Sequence, residues 1–163
     1  MTSKTEFSDE EWTRLKRAPF VAGMAISLAD PGGPIEVVKE TAATLKTVRE
    51  AAASGGRGEL VDGVARDVVA DAQMRKSPLR DFKPKGALAG QEILDELAEV
   101  NRIVSEKATP EEADAYREWL RAAAQEAANA AKEGGFMGFH AQRVSEGEQR
   151  MLDRLGEVLS APS

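Results

Sequence analysis

Three carboxylates surround a glycine turn in the first quarter of the chain, at Asp30, Glu36 and Glu40. Glu36 and Glu40 are four positions apart, so in a helix both side chains project from one face and repel each other slightly. Asp30 follows an apolar helical pattern, and the dipole at a helix end disfavours an anion by ~0.3–1 kcal/mol. Calcium or magnesium, which prefer hard oxygen ligands, would relieve both penalties. The pattern therefore predicts a divalent-cation site at these three residues.

A simpler explanation of the same carboxylates needs no ion. Aspartate before Pro-Gly commonly starts a turn by bonding its own backbone. Glutamates near the start of a helix are favoured by the dipole, and Lys39 lies between Glu36 and Glu40, where it would screen them. The sequence leaves both interpretations open, and the one without an ion is the commoner.

A glycine-rich segment near the C-terminus carries apolar side chains at Phe136, Met137 and Phe139, followed by His140. Exposed apolar side chains can dock into a partner, but on such a loop they more often fold back beneath the end of a helical bundle. We expect burial, because the chain has only eight aromatic residues to stabilise its core. An interaction loop for a protein partner is the alternative.

His140 is the only histidine of the chain. Imidazole titrates near neutrality, which suits a general base or a metal ligand. However, a diiron carboxylate bundle requires two Glu-x-x-His motifs, and the sequence contains no Gly-x-Ser-x-Gly elbow of a hydrolase. We therefore predict a surface histidine and assign no catalytic residue. An enzyme of unknown type that uses the His140 loop remains the alternative.

The stretch from Arg75 to Lys85 holds five basic residues and one acid, with prolines at 78 and 84. Such a concentration of positive charge could grip an acidic partner or a phosphate group. A solvated loop between two helices is the simpler account of the same residues.

Composition excludes several classes of function. The formal net charge of −6 opposes general nucleic-acid binding, which depends on neutralising phosphates with Lys and Arg. The chain has no cysteine, which excludes disulfides, thiolate nucleophiles and cysteine-ligated zinc. No apolar run approaches the ~20 residues of a membrane-spanning helix, and the N-terminus has no signal-peptide pattern. We expect a cytoplasmic protein that neither binds nucleic acid nor spans a membrane.

The elements that must position the candidate residues all have helical patterns. Alanine, which has the highest helix propensity, is abundant, and apolar residues recur at helical spacing. Capping boxes predict helix starts at Ser8-Asp9-Glu10-Glu11, Thr109-Pro110-Glu111-Glu112 and Ser145-Glu146-Gly147-Glu148. We predict an all-α, compact bundle of about six helices without a sheet, in which Pro19 kinks or splits the first helix.

Residues 1–163 are predicted to form a single helical domain. Residues 1–7 and 160–163 are expected to fray, and residues 76–86 to form a loop between two helices.

A weak internal repeat links Ala29-Asp30-Pro31-Gly32-Gly33 with Ala131-Lys132-Glu133-Gly134-Gly135, since each follows an alanine-rich helix. A helix–glycine turn–helix unit used twice would make the bundle pseudo-symmetric. The alternative is that glycine simply ends both helices, as it commonly does.

Two resemblances to known families rest on these motifs. A helix, the Ala29-Asp30 glycine turn and a second helix bearing Glu36 and Glu40 resemble the TerB-like tellurite-resistance family. This resemblance covers about forty residues; it implies a compact all-helical domain and would place the family's metal binding at the Asp30 turn. The segment Lys132-Glu133-Gly134-Gly135-Phe136-Met137-Gly138-Phe139 is similar to the ending of an uncharacterised family of small bacterial proteins, which implies no activity.

We therefore expect a non-enzymatic helical interaction or stress-associated module that binds a divalent cation such as calcium or magnesium. Its partner would be an unidentified protein or a second copy of the chain. Two alternatives stay open: an enzyme of unknown type centred on the His140 loop, and a purely structural homo-oligomer.

Overall fold

Six α-helices account for most of the chain in the computed structural model, which describes residues 2–29, 34–79, 82–84, 88–133 and 146–161. Within these ranges the side chains of residues 34–39 and 131–133 are not described. The helices are α1 (Asp9–Ala29), α2 (Pro34–Ser54), α3 (Glu59–Gln73), α4 (Ala89–Lys107), α5 (Pro110–Glu133) and α6 (Glu146–Val158), preceded by a 3₁₀ turn at Lys4–Glu6. The described residues contain no strand. The predicted all-α bundle without a sheet is confirmed.

Helices α1 and α5 form the centre of the bundle, since each contacts the other five helices. Their facing sides supply the largest fully buried side chains, among them Leu15 on α1 and Tyr116 and Trp119 on α5. The rings of Tyr116 and Trp119 meet edge to face, with centroids 5.8 Å apart. The hydrophobic core therefore runs along these two helices, and the remaining four pack around them.

Small residues bring α1, α2 and α5 close together. A Cβ added to Gly23 on α1 would lie 2.7 Å from Oγ1 of Thr44 on α2 and 3.8 Å from Cβ of Ala127 on α5. The first distance is too short for a real contact, so a larger residue at Gly23 would require the Thr44 side chain or α2 to move. Alanines also allow close packing along α5, where four of them are fully buried: Ala123, Ala124, Ala127 and Ala128.

Pro19 lies inside α1 without dividing it, so the predicted split of this helix does not occur. Proline has no backbone N–H, so the carbonyl four residues earlier, at Leu15, loses its helical donor. Tyr116 on α5 donates its hydroxyl to that carbonyl oxygen, at 2.7 Å. Since Leu15 and Tyr116 are both fully buried, water cannot satisfy the Leu15 carbonyl. The tyrosine hydroxyl replaces the donor that the proline removed.

The capping box predicted at Ser8 forms at the start of α1, whereas only half of the box predicted at Thr109 forms at the start of α5. The N–H of Ser8 donates to the Glu11 carboxylate at 2.8 Å, and the N–H of Glu11 donates to Ser8 Oγ at 3.1 Å. At Thr109 the hydroxyl accepts the Glu112 N–H at 3.3 Å, but the Thr109 N–H donates to Oγ1 of Thr2 at 3.2 Å. The N-terminal segment thus completes the cap of α5. The third predicted box begins at Ser145, which lies outside the described residues.

Both ends of the described chain contact the bundle. Residues 2–7, which lie in a segment expected to fray, contain the 3₁₀ turn, and Thr2 and Phe7 are buried. At the other end Asn101 Nδ2 donates to the carbonyls of Val158 and Ser160, at 2.9 and 3.0 Å.

Of the predicted loop 76–86, the described residues lie between the end of α3 and the start of α4. Both glycine turns of the internal repeat fall outside the described residues.

None of the helices in the described ranges is both long enough and apolar enough to cross a membrane.

Candidate functional site

Of the three side chains in the predicted cation site, the structure describes only that of Glu40. Asp30 lies outside the described residues, and Glu36 belongs to α2 with its side chain undescribed. Glu40 is 3 % exposed and accepts a hydrogen bond from the hydroxyl of Ser27 across the contact between α1 and α2. No group of three or more metal-ligating side chains occurs within the described part of the chain. The cation site stays a prediction.

The second predicted site, with Phe136, Met137, Phe139 and His140, lies wholly outside the described residues. Its burial, its role as an interaction loop and the alternative role of His140 in an enzyme therefore stay predictions.

A cavity that sequence reasoning did not anticipate lies where α1, α2 and the end of α3 meet, and we call it the α1–α3 cavity. It has a volume of about 230 Å³. Its lining combines apolar side chains, none of them exposed, which we call the floor, with charged and hydroxylated side chains, most of them exposed, which we call the rim. The floor residues are Phe20, Leu45, Val68, Ala72 and Pro78, and the rim residues are Thr13, Lys16, Arg17, Thr41, Asp71, Lys76 and Ser77.

Helical spacing explains why these residues meet. Side chains three and four positions apart share one face of a helix. Thr13, Lys16, Arg17 and Phe20 follow this spacing on α1, Thr41 and Leu45 on α2, and Val68, Asp71 and Ala72 on α3, so each helix turns one face to the cavity.

The segment after α3 closes one side of the cavity by reversing direction at Arg75. The N–H of Arg75 bonds the carbonyl of Ala72 at 3.0 Å, and the N–H of Lys76 bonds that of Asp71 at 2.9 Å. This is the Schellman arrangement, in which the residue after the helix adopts a left-handed conformation. Arg75 does so with φ of 58°, at a position where glycine is usual. The turn carries Lys76, Ser77 and Pro78 back over the opening.

Arg17 is fixed at the rim by a buried carboxylate. Its Nε and Nη2 lie 3.0 and 2.8 Å from Oε1 of Glu96 on α4, and Arg14 Nη1 lies 2.6 Å from Oε2 of the same residue. Glu96 is 7 % exposed, so it is almost withdrawn from water. The guanidinium carbon of Arg17 also lies 5.1 Å from the centre of the Phe82 ring, a cation–π contact. Nη2 of Arg14 also lies 3.4 Å from Oε1 of Glu10, so two carboxylates balance the two arginines, and Arg17 keeps N–H donors that Glu96 does not use.

Lys16 and Lys76 complete the charge pattern. Lys16 Nζ lies 2.7 Å from Oδ2 of Asp71, which joins α1 to α3 across the rim with both side chains about one-quarter exposed. Lys76 is exposed and forms no ion pair with any residue that the structure describes. The lining thus has three cationic side chains and a single carboxylate, although the chain as a whole carries a net charge of −6.

Tyr116 lies behind this charged cluster in the core. Burial raises the pKa of its hydroxyl well above the usual value, and the nearby negative charge of Glu96 acts in the same direction. The hydroxyl therefore stays protonated and serves as the donor to the Leu15 carbonyl, which fixes the helical turn that carries Arg14, Lys16 and Arg17.

The sequence revealed the basic stretch from Arg75 to Lys85, but not that residues of α1 line the same cavity as Lys76. Lys16 and Asp71 are 55 positions apart in the chain, and no local pattern indicates that they meet. One signal was present: Arg14, Lys16 and Arg17 form a second basic group directly before the apolar residues at Pro19 and Phe20.

Comparison with models of known protein families gave no match, and no characterised protein or solved structure proved similar to the chain.

Proposed function

We propose that the protein is a non-enzymatic helical binding module, and that it binds a small, largely apolar ligand in the α1–α3 cavity. The observation that carries this proposal is the apolar floor of the cavity, which opens to a polar rim.

The lining of the cavity includes five apolar side chains against which the apolar part of a ligand can pack. Removing apolar surface from water yields ~25 cal/mol per Å², so a ligand that covers Phe20, Leu45 and Val68 would be stabilised. The volume of about 230 Å³ lies below the roughly 300–1,000 Å³ of pockets for drug-sized molecules. The ligand is therefore a small molecule.

The charged groups at the rim support binding rather than catalysis. Lys16 is paired with Asp71, and Arg17 is paired with Glu96. Groups that ion pairs hold in place are suited to position a ligand. The chain also has no cysteine, and its one histidine lies far along the sequence from these residues.

Titration with 1-octanol, a neutral molecule with an apolar chain, tests the proposal. Ala72→Phe should fill the cavity from α3 and abolish binding, whereas Ala70→Phe, an exposed position on the same helix, should leave it unchanged. Calorimetry measures the affinity, and the melting temperature should rise with octanol in the wild type, since a ligand of the folded state stabilises it. The proposal would be rejected if octanol bound none of the proteins, or bound Ala72→Phe as well as the wild type.

A further inference from the structure

The charges around the α1–α3 cavity indicate the class of its ligand, an inference that rests on the proposed function. We infer that the cavity binds a small amphipathic monoanion: an apolar chain or ring bearing one carboxylate. The apolar part lies on Phe20, Leu45 and Val68, and the carboxylate lies at the rim beside Arg17 and Lys76.

The local charge has the opposite sign to that of the whole protein. The chain carries a net charge of −6, yet the lining presents Lys16, Arg17 and Lys76 against the single carboxylate of Asp71. Asp71 is neutralised by Lys16, at 2.7 Å. Arg17 is likewise paired with Glu96. Lys76, which forms no ion pair with a described residue, therefore leaves an excess positive charge at the rim, and this charge attracts an anion and repels a cation.

The geometry of Arg17 leaves room for one further anionic group. A guanidinium has five N–H donors, and Nε and Nη2 of Arg17 face Oε1 of Glu96. Glu96 and Phe82 already hold the Arg17 side chain in place. Its remaining N–H donors can therefore bind a ligand with a smaller loss of side-chain conformational entropy than a mobile arginine would incur. The cavity thus offers a preorganised cation above an apolar floor.

A single negative charge fits this site better than two. Lys16 is paired with Asp71 and Arg17 with Glu96, and Arg14, the second arginine on Glu96, is also paired with Glu10. Among the cations of the lining, Lys76 alone forms no ion pair with a described residue, so about one unit of positive charge is left for the ligand. The small volume, about 230 Å³, likewise favours a short acyl or aryl carboxylate over a peptide helix or a long lipid chain.

Three ligands with the same eight-carbon chain test the inference: octanoate, 1-octanol and octylammonium. Calorimetry at neutral pH should give the tightest binding for octanoate, weaker binding for octanol by about fivefold, and the weakest for octylammonium. Added salt should weaken octanoate binding and leave octanol binding nearly unchanged. Equal affinity for octanoate and octanol would overturn the inference while leaving the proposed function intact, whereas failure of all three ligands would reject the proposed function itself.

Charge variants at the rim give a test in both directions. Lys76→Gln should weaken octanoate binding by about two- to fivefold, and Asp71→Asn should strengthen it by a similar factor. Neither should change octanol binding by more than about twofold. Arg57→Gln, which removes one exposed positive charge from the loop between α2 and α3, is the matched control and should change nothing.

Two further results would overturn the inference. The first is an unchanged octanoate affinity in both Lys76→Gln and Asp71→Asn. The second is a dimer of the wild type that dissociates on Ala72→Phe without any binding of octanoate, because the cavity would then be covered by a second copy of the chain. Analytical ultracentrifugation distinguishes this case.

Discussion

The link between Pro19 and Tyr116 makes a quantitative prediction. Tyr116→Phe removes one hydroxyl and leaves the Leu15 carbonyl, which is fully buried, without a donor. An unsatisfied buried polar group costs ~1–3 kcal/mol, and we expect a loss of stability in this range. In a Pro19→Ala background the N–H of the new alanine can bond the same carbonyl, so the further cost of Tyr116→Phe should fall to ~0.5–1 kcal/mol.

Urea unfolding of the wild type, both single variants and the double variant measures this coupling as a double-mutant cycle. The expected interaction energy is about 1 kcal/mol or more. Trp119→Phe is the control, because Trp119 is a buried aromatic neighbour of Tyr116 that does not contact the Leu15 carbonyl; its effect should be the same with and without Pro19. If Tyr116→Phe costs the same in both backgrounds, within ~0.3 kcal/mol, the hydroxyl does not compensate for the proline.

Four further predictions concern single features of the molecule. Glu96→Leu should lower the free energy of unfolding, measured in urea, by ~1–3 kcal/mol. Breaking a fully buried ion pair costs ~3–5 kcal/mol, and the cost here should be smaller because Arg14 is partly exposed. An unchanged urea midpoint would contradict this. Arg75→Gly should raise stability by up to ~1 kcal/mol, since glycine adopts φ of 58° without strain; a loss of stability would refute the strain argument. Stability should fall as the pH rises above about 10, because the raised pKa of Tyr116 keeps the folded protein protonated while the unfolded chain ionises; Tyr116→Phe should flatten this dependence in urea unfolding measured against pH. If the predicted cation site exists, calcium or magnesium should raise the melting temperature of the wild type but not of a variant with Asp30→Asn and Glu40→Gln; identical melting with metal and with chelator would end that hypothesis.

Features that depend on neighbours in the sequence were predictable. The Ser8 capping box joins residues three positions apart, so its pattern is visible in the sequence and the structure confirms it. The high alanine content likewise predicted helices, and Ala127 on α5 lies where that helix comes close to Gly23 of α1.

Features that depend on distant residues were not predictable. Pro19 was expected to kink or split α1, but the donor that compensates for it comes from Tyr116, 101 positions from the carbonyl that it satisfies. Nothing near Lys16 and Arg17 in the sequence indicates that they pair with Asp71 and Glu96. The basic stretch from Arg75 onward was noticed, yet its apolar counterpart could be found only once α1, α2 and α3 were placed together.

Nuclear magnetic resonance of the methyl-labelled protein with octanoate tests the central claim most directly, since it locates the bound ligand. Intermolecular cross-peaks should join the octanoate chain to the methyl groups of Leu45, Val68 and Ala72, which line the α1–α3 cavity. Leu88 and Met74, large apolar side chains that are 68 % and 60 % exposed, serve as markers of nonspecific contact. Cross-peaks to those two residues without any to Leu45 or Val68 would show that the cavity is not the binding site and would contradict the account.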